Sequence, residues 1–314
     1  MILITGAAGF IGSNLANHLK GESLLLVDDA SKQHHCYHLS YHKFYDYLDF
    51  YYRLNTDQEF HEFIAQNVKV IFHQGACTDT TMTDPAVMMF QNFEYSKFLL
   101  DFARTYKIRL IYASSGATYG HGEKGFTEDS GSEAPLNIYG RSKHVFDEYV
   151  RCYLPEMESQ VVGLRYFNVY GPGEENKGPM ASVVQQFHQQ AQQNKTIQLF
   201  EGSENFLRDF VYVDDVIKIN SFFLEREDLR GIYNVGSGDS RSFQDVGELY
   251  TQRYETVKAE TIEFPEELRA CYQAYTRADL SKLLAAGYNS PLTSLETGIS
   301  RYLSYLEDNE SRLR

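Results

Sequence analysis

Tyr139-Gly-Arg-Ser-Lys143 sets a phenol and an ammonium four residues apart. On a helix that spacing brings both side chains to one face. A phenol with a pKa near 10 is a poor base at neutral pH. A cation beside it stabilises the phenolate and lowers that pKa. Such a pair can take the proton of an alcohol while hydride leaves the same carbon. Ser115 follows the apolar run 109–113 and offers a hydroxyl to the same oxygen. A Tyr-x-x-x-Lys pair by itself is usually a surface contact, so its meaning depends on the elements that hold it.

The first of these is at the N-terminus. Four β-prone residues, Ile2-Leu-Ile-Thr5, run into Gly6-Ala-Ala-Gly9-Phe-Ile-Gly12, and a helix is expected over 10–20 with Leu15 and Leu19 on one face. A strand, a glycine turn and a helix N-terminus form an anion site, because backbone N–H groups point outward along the helix dipole. Gly6 permits the turn, Gly9 lets a pyrophosphate approach, and Gly12 lets helix and strand pack closely. The spacing is Gly-x-x-Gly-x-x-Gly, not the commonest dinucleotide pattern. Asp28 ends the next apolar strand, 23–27. It stands about 20 residues after the glycines, where a dinucleotide fold sets an acid on the adenosine ribose.

Strands and helices then alternate. The pattern predicts helix 57–66, strand 68–73 entering the small-residue loop Gln74-Gly-Ala-Cys-Thr78, helix 85–107, strand 109–113, helix 137–154 and strand 160–166. This period indicates an α/β fold with a Rossmann-type, doubly wound parallel sheet. Beyond Asn168 the pattern loosens into a breaker-rich loop at 171–179. Helices are expected over 181–193, 215–225, 243–253 and 292–307, with strands at 197–200, 210–213 and 232–235. The expected division is a dinucleotide-binding domain at 1–167 and a smaller mixed α/β, mainly substrate-binding region at 168–314. Residues of about 210–236 are expected to return to the first sheet. His34, His35, Cys36, His38 and His42 invite a metal reading, but match no zinc spacing and have no distant second half. A solvated loop and a short strand at 45–48 are expected there instead.

Composition narrows the function. A net charge of -14 argues against nucleic-acid binding, which needs clustered Lys and Arg. No apolar run reaches the ~20 residues of a membrane-spanning helix. Strand 1 begins at once, with no charged leader. The four cysteines are scattered, as expected of free thiols in a reducing cytoplasm.

Longer segments carry a resemblance. These are the glycine loop, Ser114-Ser-Gly-Ala-Thr-Tyr-Gly120, Tyr139-x-x-x-Lys143, Phe72-His-Gln-Gly-Ala-Cys77, Arg165-Tyr-Phe-Asn-Val-Tyr-Gly-Pro172, Lys177-Gly-Pro-Met-Ala-Ser-Val183 and Phe200-Glu-Gly-Ser-Glu-Asn-Phe206. Together they resemble the extended short-chain dehydrogenase/reductases that act on nucleotide sugars, and among them the heptose epimerases. The resemblance implies inversion of the C6″ hydroxyl of an ADP-linked heptose with bound NADP, NAD being the alternative cofactor. It implies Tyr139 and Lys177 as the two acid/base groups, with Ser115 and Lys143 assisting. It implies cofactor contacts from Gly6, Gly9, Phe10, Ile11, Gly12, Asp28, Asp29, Gln74, Gly75, Ala76, Cys77, Thr78, Gln91 and Asn92, besides Tyr139 and Lys143. Sugar-nucleotide contacts are implied for Ser115, Asn168, Val169, Lys177, Gln186, Phe200, Glu201, Gly202, Ser203, Arg208 and Tyr272. A homo-oligomer, a pentamer, is also implied. The chain departs from the family at Gly116-Ala117, at Pro179, and past Asp28, where Lys32, His35 or Lys43 must stand for the expected lysines. The alternatives are a 4-epimerase or a 4,6-dehydratase. The dehydratase is disfavoured because Gly116-Ala117 supplies no acid beside Ser115.

Overall fold

The computed structural model describes residues 1–32, 40–80, 82, 84–266 and 272–313, of which 309–313 are described in backbone alone. The N-terminal elements are β1 (Ile2–Thr5), α1 (Phe10–His18), β2 (Leu24–Asp28) and β3 (Lys43–Asp46). Next come α2 (Tyr47–Thr56), α3 (Gln58–Asn67), β4 (Val70–His73), α4 (Pro85–Met89) and α5 (Tyr95–Tyr106). Then follow β5 (Arg109–Ser115), α6 (Ile138–Tyr153) and β6 (Val161–Tyr166). The remainder is β7 (Asn168–Tyr170), α7 (Val183–Asn194), β8 (Thr196–Phe200), β9 (Leu207–Tyr212), α8 (Val213–Glu225), β10 (Gly231–Val235), β11 (Ser240–Ser242), α9 (Phe243–Arg253), β12 (Lys258–Ile262), α10 (Ser281–Ala285) and α11 (Leu295–Leu313).

Seven strands form one sheet in the order β10-β6-β5-β4-β1-β2-β3. Every pair in it is parallel. The strand order reverses between β1 and β4, so a crevice opens beyond their C-terminal ends, where such sheets bind ligands. The apolar runs are continuous because the sheet is covered on both faces. Ile2 and Ile4 pack with Leu15, Val216 and Phe223 on one face. Leu3 packs with Phe50, Leu99 and Phe146 on the other. A three-stranded sheet, β11-β9-β7, and a pair, β12-β8, lie with α7, α9 and α11 around a third core that includes Phe187, Val246 and Tyr302.

Several local expectations are corrected. The strand expected at 45–48 is β3, and it stops at Asp46. The Asp46 carboxylate caps α2, accepting from Leu48 N at 2.9 Å. Phe50 and Leu54 are then buried on one helical face, so the aromatic stretch is a packed helix rather than loop. The helix expected over 85–107 is interrupted by a π turn at Phe90–Glu94. The strand expected at 210–213 starts at Leu207, and β7, β11 and β12 are additional. These short strands have too few residues for a readable alternation. His34, His35, Cys36 and His38 lie outside the described residues. Among the described residues, no helix is long and apolar enough to cross a membrane.

Candidate active site

β5 ends at Ser115, and α6 begins opposite it. Asn137 caps α6, its Oδ1 accepting from Gly140 N at 2.8 Å, which starts the helix at Ile138, one residue before Tyr139. Helical spacing then sets Lys143 one turn further on. Ser115 Oγ accepts from Ala117 N at 3.1 Å at the end of β5. Burial raises the Tyr139 phenol above its ordinary pKa, and the Ser115 hydroxyl offsets part of that rise. Lys143 is buried and donates from Nζ to the Ala113 carbonyl at 2.9 Å. Burial pulls its ammonium down to about 8, opposed by the charges of Asp147 and Cys77. The phenol expected to be lowered by Lys143 is therefore raised. Desolvation dominates both groups, and the ammonium rests on a β5 carbonyl.

Beneath this pair is a charge cluster that sequence reasoning missed. Asp147 accepts from Tyr112 Oη and Ser114 Oγ, both at 2.8 Å, and from Arg165 Nε at 2.9 Å. Arg165 also donates to Glu133, which is held in turn by Arg151 and His144. Asp147 had a signal, four residues after Lys143 on one helical face. Glu133 lies in the polar loop before α6 and had none. Glu133, His144 and Glu148 converge closely enough to suggest a cation site. Arg151 and Arg165 supply the cations there.

The glycine turn fits a dinucleotide. Gly6 has φ +68°, and a Cβ there would come within 2.5 Å of Gly75 N. A Cβ on Gly12 would collide with the Gly6 carbonyl oxygen. Gly9 caps α1 without a side chain, leaving the helix N-terminus uncovered beside Phe10 and Ile11. Asp28 Oδ2 accepts from Ala8 N at 2.8 Å and Oδ1 from Asp29 N at 2.7 Å, tying β2 to the glycine loop. Asp29 accepts from Ser31 and faces Lys32 at 3.9 Å. Lys43 turns instead onto the Phe63 ring, and His35 lies outside the described residues. The 74–78 loop meets the glycine loop where Gly75 N donates to Thr5 Oγ1 at 3.3 Å. Gln74 accepts from Tyr166 Oη at 3.0 Å. Ala76 and Thr78 flank Cys77, whose backbone N donates to Asn92 Oδ1 at 2.7 Å while its carbonyl accepts from Asn92 Nδ2 at 2.9 Å. The π turn points Asn92 inward; π turns recur at functional sites. Asn92 also donates to Ser142 Oγ at 3.0 Å. Gln91 donates to Tyr47 Oη at 3.3 Å. Asn92 is thus spent within the protein, bracing the loop rather than presenting its amide.

Beyond β7, Lys177 lies in the short turn Glu175–Met180. Its ammonium sits over the Phe10 ring, 5.2 Å from the centroid, so it faces the glycine loop. Burial lowers its pKa, and Glu174 opposes that. Glu174 is fully buried; its carboxylate accepts from Gly171 N and from Ser182 N and Oγ, closing the loop. Gln186 donates to the Pro179 and Ala181 carbonyls and braces the same loop. Asn168 is exposed and Val169 half-buried on β7. Arg208 is buried on β9, with its guanidinium over the rings of Tyr272 and Phe243. The neighbouring Asp209 is occupied by Ser237, Gly238 and Ala278. An Arg208–Asp209 ion pair is therefore not what holds the guanidinium. Phe200, Glu201, Gly202 and Ser203 line a surface hollow with Gln244 and Glu248. Phe264, which stacks on both Phe200 and Tyr272, was not anticipated.

Residues 2–236 match the model of the NAD dependent epimerase/dehydratase family. The chain belongs to this family. It is 46% identical over 98% of its length to an ADP-L-glycero-D-manno-heptose-6-epimerase of Brachyspira hyodysenteriae, of which it covers 98%. It also resembles the solved Helicobacter pylori ADP-L-glycero-D-manno-heptose-6-epimerase, with TM-score 0.81, 32% identity, and 98% and 96% of the two chains covered. A Thermus thermophilus UDP-glucose 4-epimerase solved with NAD superposes with TM-score 0.82 at 27% identity, covering 98% of each chain. For an epimerase/dehydratase, the crevice between β1 and β4 has the turn, the open helix end and the acid that a nicotinamide dinucleotide requires.

Proposed function

We propose that this chain interconverts ADP-D-glycero-D-manno-heptose and ADP-L-glycero-D-manno-heptose, supplying the lipopolysaccharide inner core. The observation that carries the substrate is the end-to-end 46% identity to the Brachyspira enzyme. The geometry supports the reaction type. A bound NADP would supply the hydride acceptor and donor, so no net reduction would result. Gly6, Gly9, Gly12 and Asp28 would hold it, with Lys32, 3.9 Å from Asp29, offered to a 2′-phosphate. Tyr139 takes the C6″ hydroxyl proton as hydride departs. Ser115 steadies the carbonyl oxygen, and Lys143 supports the phenolate. The ketone then turns, and Lys177 serves the other face. Arg208 grips the diphosphate, since a planar guanidinium pairs phosphate oxygens. One carbon approached from two sides needs two such groups.

We infer a cytoplasmic enzyme, supported by the free thiols of Cys77 and Cys152. We also infer a homo-oligomer, pentameric by resemblance, supported by the exposed apolar side chains Leu48, Tyr52 and Val87 on α2 and α4; light scattering tests it. The activity is tested by incubating purified protein with ADP-D-glycero-D-manno-heptose and following the C6″ isomer by NMR. UDP-hexoses in parallel test 4-epimerisation. No heptose isomer from folded, cofactor-loaded protein refutes the proposal. Mass spectrometry of the molecule released on denaturation separates NADP from NAD. Tyr139→Phe should cut turnover by about 10²–10⁴-fold and leave the cofactor bound.

A further inference from the structure

Asp147 has no part in the reaction as described, yet the proton-handling groups are tied to it. It is fully buried one helical turn beyond Lys143. Its Oδ1 accepts from Tyr112, and its Oδ2 from Ser114 and from two nitrogens of Arg165, at 2.8 to 2.9 Å. Tyr112 and Ser114 belong to β5, which ends in Ser115 and whose Ala113 carbonyl holds Lys143. One carboxylate therefore joins the helix carrying Tyr139 and Lys143 to the strand carrying Ser115, and Arg165 joins β6 to both. A buried ammonium loses its proton readily unless an anion faces it. Asp147 is the leading charge that opposes the effect of burial on Lys143.

We propose that Asp147 is the positioning residue of this site, fixing α6 against β5 through Tyr112, Ser114 and Arg165 and keeping Lys143 cationic by its charge. The inference rests on Tyr139 and Lys143 being the proton-handling pair proposed above. It also explains why a chain would bury three charges, Asp147, Arg165 and Glu133, beside the crevice. Burial of an ion pair is seldom favourable for stability alone.

Asp147 on α6 and Cys77 after β4 act on Lys143, His73 on β4 feels its charge, Tyr139 lies one turn before it on α6, and Tyr112 on β5 is joined to it only through Asp147. Burial and the Lys143 charge push His73 down to about 3, and burial with the Asp147 charge pushes Tyr112 well up. Neither titrates from about pH 6 to 9. A Cys77→Ser background removes the thiol. Lys143 at about 8 lies below its ordinary 10.5. It therefore subtracts stability at lower pH, and stability returns as pH rises through the folded value. Without Asp147 that return should begin at lower pH.

Melting temperature is measured against pH in the Cys77→Ser background, with Asp or Asn at 147, each with and without Lys143→Met. Turnover of the cofactor-loaded enzyme is measured over the same range for the variants that keep Lys143. Asp147→Asn should move the Lys143-dependent rise in melting temperature to lower pH by about one pH unit or more. It should move the high-pH fall in kcat by the same amount. Tyr112→Phe, which removes a hydrogen bond to the carboxylate and keeps its charge, should leave that fall in place. If Asp147→Asn lowers kcat equally at every pH and moves neither curve, Asp147 is structural only and the proposal is overturned. If Asp147→Asn does not fold, Asp147→Glu replaces it. Retained charge on a longer arm should lower kcat at an unmoved high-pH fall, and a moved fall overturns the proposal. Full turnover in Tyr139→Phe instead defeats the reading of the pair, leaving the melting curves to judge Asp147.

Discussion

Arg165→Met removes the cation on which two buried carboxylates converge. Arg165, Asp147 and Glu133 have no exposed side-chain surface. Met has a similar reach and tolerates burial, so the perturbation is mainly the charge. Removing one partner of a buried pair costs about 3–5 kcal/mol. In a chain of 314 residues ~1 kcal/mol moves the melting temperature by about 1.5 °C. Glu133 keeps Arg151 at 2.5 Å and His144 at 2.7 Å, and Asp147 keeps Tyr112 and Ser114. The lower part of the range is therefore expected, a fall of about 4–6 °C. The sign of the pH dependence follows from Glu133. Burial pushes its carboxyl up, but His144, Arg151 and Arg165 hold it at about 2, below its ordinary 4.5. Its contribution is complete above about 4.5 and is lost as pH falls toward 2. Arg165→Met shrinks that depression, so the deficit against wild type should narrow in this acid window. Thermal unfolding followed by circular dichroism measures both effects. A cost under ~1 kcal/mol near neutral pH, or a deficit that acid leaves unchanged, refutes the coupling of these charges.

Gly12→Ala forces a methyl onto the Gly6 carbonyl; dinucleotide retention on gel filtration should be lost, with about 1–3 kcal/mol of destabilisation in urea titration. Arg208→Lys keeps charge but not the planar fork; KM for the ADP-sugar should rise about 10–100-fold with kcat little changed in steady-state assays. Lys177→Met should slow turnover about 10²–10⁴-fold. Because burial already lowers the Lys177 pKa, the melting temperature of this variant should hold or rise.

The parts of the site that lie close together in the chain were legible in the residues. Gly6, Gly9 and Gly12 follow a strand directly, and Tyr139 and Lys143 share a helical face whatever surrounds them. The apolar runs of β1, β2, β4 and β5 announce a doubly covered parallel sheet by their continuity. The π turn at Phe90–Glu94 was not legible, since its sequence continues a helical pattern and the insertion serves to bring Asn92 onto the Cys77 backbone. α2 was missed because Asp46 ends a strand and caps a helix at one residue.

By itself, then, the sequence determined which residues are candidates for the chemistry and the kind of sheet that holds them, because periods of two and 3.6 residues and four-residue spacings are local. Tertiary structure alone decided what each group faces. It set Lys177 over Phe10, freed Arg208 from Asp209, and closed the Lys177 loop on a buried Glu174. It also reversed the expected shift of Tyr139, because desolvation depends on what packs around a side chain and not on its neighbours in the chain.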